Sequence, residues 1–123
     1  MTGVILTVHV VHYPLFLEVG AEQFPSYHQG HMRRIIWVVG PVMLVEVALT
    51  VALVALMPSS LTITGLVLLA VIWAVTGLVH VPQHSRLQEG YDPDLIRTTS
   101  RSNGIRTMLW VLRSGLAFAL LVL

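Results

Sequence analysis

Residues 35–81 contain a single charged side chain, Glu46. A chain of 123 residues cannot hide such a stretch in a water-soluble core, because a domain of this size still exposes about a third of its unfolded surface. Pro58, Ser59 and Ser60 divide the stretch into apolar segments 35–57 and 61–81. Each is close to the roughly 20 residues that cross about 30 Å of hydrocarbon. So short a linker forces an antiparallel helical pair. Segments 3–19 and 105–123 have similar length and character. The first carries His9, His12, Tyr13 and Pro14 and lacks both the positive n-region and the small-residue cleavage pattern of a secretory leader, so it reads as a helix. The predicted fold class is all-α: an integral membrane four-helix bundle of antiparallel up-down topology, one domain over residues 1–123, with no internal repeat evident.

Composition agrees with a lipid environment. Only 11% of residues are charged against roughly 25% in ordinary soluble domains, and mean hydropathy is +0.80. With no cysteine, disulfides, thiolate metal sites and covalent haem attachment are excluded. A net charge of +1, from scattered arginines, is too weak for a nucleic-acid surface. Four crossings put polar segments 20–34 and 82–104 on one side of the bilayer. Arg33, Arg34, Arg86, Arg97 and Arg101 lie there, with Arg106 at the edge, so the positive-inside rule predicts an inner (plasma) membrane protein whose polar loops face the cytoplasm and whose termini face out. Within 82–104, Asp92-Pro93-Asp94 predicts the capped start of a short helix. Gly40-Pro41 predicts a kink early in the second helix, and Trp37 and Tyr91 read as interfacial aromatics.

Several residues do not belong in lipid. Glu46 lies roughly 16 Å from the cytoplasmic end of its segment and Arg113 roughly 12 Å from the same end, which makes them partners by depth. That pair either fixes helix register or belongs to a site. The histidines fall into pairs at helical spacing: His9 and His12, His28 and His31, His80 and His84. Convergence of His12, His31, His80 and His84 at one depth would hold a transition metal (iron, copper or zinc) or a haem. The competing reading is separate amphipathic anchors at the interface. Arg106 and Arg113, seven residues apart, share a helical face that suits an anionic oxygen.

The residues Val11-His12-Tyr13-Pro14-Leu15-Phe16, Glu46, Val81-Pro82-Gln83-His84, Gly90, and Asn103 with Ile105-Arg106-Thr107 resemble a pattern of small bacterial four-helix membrane proteins similar to the anthrone-oxygenase-like superfamily. Gly104 stands where that pattern carries a tryptophan. The resemblance implies oxygenation, or another redox step, on a lipophilic aromatic with an acidic C–H, a histidine acting as base and an arginine holding the enolate oxygen. The expected catalytic set is His12, His84, Glu46, Arg106 and Arg113, in an oxidoreductase-like protein whose polar site lies in the cytoplasmic half of the bundle. A lipophilic small molecule and the lipid bilayer are its expected partners. The alternative is a non-enzymatic subunit or cofactor binder that packs as a homo-oligomer or within a larger membrane complex.

Overall fold

The computed structural model describes residues 1–122, which are almost entirely helical. Four helices follow in order: α1 (Thr2–Phe16), α2 (Phe24–Leu56), α3 (Ser60–Leu87) and α4 (Pro93–Val122). The last three, of 33, 28 and 30 residues, are each long and apolar enough to cross a membrane. α1 is shorter, at roughly 22 Å.

Local chemistry accounts for the boundaries. Ser59 caps α3 reciprocally: its hydroxyl accepts from the Thr62 amide at 3.2 Å, and its own amide donates to Thr62 Oγ1 at 2.9 Å. Asp92 Oδ1 accepts from the Leu95 amide at 2.9 Å, and Pro93 takes the first helical position, where its missing N–H costs nothing. The capped start expected there is present, but the helix does not stop; it runs on as α4. The two polar segments expected between helices are therefore largely helical, and each connection shrinks to a few residues. The reason is amphipathicity. In α4 the buried residues Ile96, Thr99, Asn103, Thr107 and Trp110 recur every three or four positions and run continuously from the polar part into the apolar part. In α2, Phe24 and His28 are buried while Ser26, Gln29, Arg33 and Arg34 are exposed. A mean-hydropathy window sees only the polarity of such a stretch and not its buried face. α1 ends at Phe16, short of the expected residue 19, and the free Leu17 carbonyl accepts from Tyr91 Oη at 2.9 Å.

α2 continues through Gly40-Pro41 as one element. α1 widens into a π-helical turn at Val8–His12, and α3 at Thr76–His80. Each ends two residues before a proline, Pro14 and Pro82, whose ring cannot donate to the carbonyl four positions back. A wider turn absorbs that missing bond and shifts the phase of everything after it.

The helices share two apolar cores, each drawing on all four. Ile5, Met43, Leu69, Ile72 and Trp110 form one. Val8, Tyr13, Phe16, Phe24, Leu87 and Ile96 form the other. Along α1 the α4 contacts fall in residue number, from Thr2 against Trp110 and Ser114 to His9 against Gly104. α3 and α4 approach closely at Gly65, where an added Cβ would lie 3.2 Å from Leu116 Cδ2.

Candidate functional site

The segments following the two π turns bring Tyr13 and His84 together near the polar end of the molecule. Tyr13 Oη lies 3.0 Å from His84 Nε2, and His84 Nδ1 lies 3.0 Å from His28 Nε2. Both nitrogens of His84 are thereby engaged, and the three side chains form a hydrogen-bonded chain from α1 through α3 to α2. One proton sits in each contact, so the chain has two polarities, with Tyr13 donating at one extreme and accepting at the other. The His28 and His84 rings are nearly parallel, 5.2 Å apart, and Phe24 stacks on the far side of His28 at 5.6 Å. Phe16, edge-on to His28 at 5.7 Å, closes the packing.

Beside this chain lies a cavity of about 330 Å³. Its polar wall is Tyr13, His31, Thr76, His80, His84 and Arg106, and the rest is mostly apolar side chains of α1, α2 and α3, among them Val8, Ile35 and Val39. Arg106 Nη1 donates to Thr76 Oγ1 at 3.4 Å, while its Nε is buried without a partner. His80 is 2% exposed and neither ring nitrogen has a partner. Leaving such a group unsatisfied costs on the order of 1–3 kcal/mol, which makes the wall carrying this buried imidazole and the buried Arg106 guanidinium the candidate binding surface. Asn103, fully buried, also has an unpartnered amide.

The expected catalytic residues divide into three groups. His84 and Arg106 line this cavity. His12 faces the other side of α1, in an outer groove of about 400 Å³ with Tyr27, His31 and Arg34, its ring edge-on to His31 at 5.1 Å. Glu46 and Arg113, matched by depth in the sequence, meet in the structure, Arg113 Nη2 lying 2.9 Å from Glu46 Oε2, with Thr50 Oγ1 accepting from the same nitrogen. Neither belongs to the cavity wall. The expected metal set His12, His31, His80 and His84 does not assemble: His84 is bonded to Tyr13 and His28, and among the described residues no group of three or more His, Cys, Asp or Glu could hold a metal ion. His9 rests against Gly104, its Cε1 3.4 Å from where a Cβ would stand.

Tyr13 and His28 stand outside the expected catalytic and metal sets, although His28 was paired with His31 by its spacing. A signal for the helix widening beside Tyr13 existed. Val11-His12-Tyr13-Pro14 and Val79-His80-Val81-Pro82 share a Val-His-x-Pro pattern, and His12 with His80, Pro14 with Pro82, Pro25 with Pro93 and Arg33 with Arg101 are each 68 residues apart. The π turns obey the same offset. The repeat is too sparse to register as similarity, yet it marks both sites of helix widening. No family model matches the chain, and neither does any curated protein or solved structure.

Proposed function

We propose that the chain is an antiparallel four-helix bundle embedded in the inner membrane, its arginine-rich end cytoplasmic, that binds a lipophilic molecule bearing an acidic C–H or O–H and moves that proton. The apolar exterior supports the membrane setting: Trp37, Leu56, Leu78 and Leu121 are each about four-fifths exposed, among many other large apolar side chains, far beyond the patches a soluble monomer tolerates. The observation that carries the chemistry is the meeting of unpartnered His80 with Arg106 on one largely apolar cavity.

His80, which lies beside the Ser102 backbone and whose ring nitrogens make no hydrogen bond of good geometry, takes the base role that the resemblance assigns to a histidine; His84 is committed to Tyr13 and His28. Arg106 stabilises the enolate or phenolate oxygen in a water-poor setting. Tyr13 hydrogen-bonds the same ligand and is held in place by His84. In the oxygenase form of this reading, the carbanion of an anthrone-like substrate reacts with dissolved dioxygen. The ring CH₂ becomes a carbonyl, and its two hydrogens leave with the second oxygen atom as water.

Anthrone in lipid nanodiscs tests the two stages separately. Without oxygen, the protein should accelerate deuterium exchange at the acidic carbon; with oxygen, it should accelerate quinone formation and oxygen uptake over the uncatalysed rate. His80→Ala and Arg106→Ala should each lower the exchange rate by roughly 10²-fold. Exchange no faster than in empty nanodiscs would end the proposal.

A further inference from the structure

One stripe of α2 is used by nothing described so far. Ser26, Gln29, Gly30, Arg33, Arg34 and Trp37 line an outer groove of about 520 Å³, contiguous through Ser26, Gly30 and Arg34 with the groove that holds His12 and His31. Their spacing of three and four keeps them on one helical face. The same side of the helix continues into a mostly apolar groove of about 230 Å³ lined by Pro41, Val42, Val45, Glu46 and Leu49. Polar donors, a belt tryptophan and an apolar trough thus follow one another along a single line.

The two arginines are unneutralised. Among the described residues the ion pairs are Arg97 with Asp94, Arg113 with Glu46 and the Met1 nitrogen with Glu46; none includes Arg33 or Arg34. The Arg34 guanidinium lies back along the helix, Nη1 donating to the Gly30 carbonyl at 3.2 Å. It can do so because residue 30 is glycine, since a Cβ there would stand 3.1 Å from that nitrogen. The fork is thus held over the groove with most of its donors free, the geometry that matches a phosphate.

We propose that this stripe binds an anionic phospholipid. Its phosphate is held by Arg33 and Arg34 with Ser26 and Gln29 at the rim. Trp37, 80% exposed, lies at the glycerol level, and an acyl chain follows Pro41, Val45 and Leu49. The inference rests on the membrane reading of α2 but is independent of the chemistry proposed for the cavity. The amphiphilic order of the stripe favours a lipid over soluble phosphate, for which an apolar trough would serve no purpose.

The test uses the full chain in neutral detergent, titrated with brominated phosphatidylglycerol or brominated phosphatidylcholine and read by tryptophan quenching, with Trp37→Phe identifying the share due to Trp37. The phosphatidylglycerol should bind more tightly, and R33Q/R34Q should weaken it by roughly fivefold for each arginine while leaving phosphatidylcholine unchanged. R34K, which keeps the charge and loses the fork, should fall between. Equal affinity for both lipids, or a preference untouched in R33Q/R34Q, would overturn the proposal. Competition by millimolar inorganic phosphate would assign the arginines to a soluble phosphate and overturn the lipid. A chain that stays in solution without detergent would refute the membrane reading itself, and the inorganic-phosphate titration would still read the arginines.

Discussion

Removing the two members of the Glu46–Arg113 pair should have unequal effects. The Arg113 side chain is 12% exposed and that of Glu46 30%, and among the described residues Thr50 supplies the arginine's only other partner. In Glu46→Leu the guanidinium stays charged, because it has no accessible neutral form. An unpaired arginine deep in a bilayer costs about 2.5–3.5 kcal/mol on insertion scales. The residual Thr50 bond and partial exposure lower that to about 2 kcal/mol here. In Arg113→Leu the carboxylate keeps the Met1 ammonium, 3.6 Å away, so the cost should be closer to 1 kcal/mol. Glu46→Leu/Arg113→Leu removes the pair and should cost less than Glu46→Leu, since a buried pair replaced by apolar groups is often neutral and the Met1 ammonium loses its partner in both variants. Reversible unfolding in mixed micelles, run as a double-mutant cycle, gives all three values. Additive losses would mean that the two side chains do not interact, and equal single losses would refute the argument that Met1 still holds the carboxylate.

Tyr13→Phe should leave the helices intact and cost about 1 kcal/mol through the lost bond to His84; nitrogen-15 spectra of His84 should show its Nε2 environment change, and an unmoved resonance would argue against the contact. Gly65→Val should destabilise the α3–α4 contact by about 1–3 kcal/mol, because its Cβ would start 3.2 Å from Leu116 Cδ2; an unfolding midpoint equal to wild type would show that the helices can part at no cost.

How much could be read in advance depended on range. The linker at Pro58, the cap at Asp92 and the depth match of Glu46 with Arg113 are set by local composition or by counting residues along a helix, and the structure agrees with each. The extents of α2 and α4 were hidden because their buried stripes continue under a polar surface, where average hydropathy says nothing about which face is covered. The contact of Tyr13 with His84 joins residues 71 apart and depends on helix rotation, which two π turns reset. Equal spacing along two helices therefore did not bring His12 and His84 to one wall: His12 lies within its π turn and faces outward, while His84 lies a turn past its own and faces in.

A π turn followed by a Val-His-x-Pro step occurs once in α1 and once in α3, 68 residues apart. At that offset Thr76, His84 and Arg106 stand where the first half of the chain has Val8, Phe16 and Val38. Most of the polar side chains on the cavity therefore come from α3 and α4, and α1 and α2 supply most of the apolar surface that faces them.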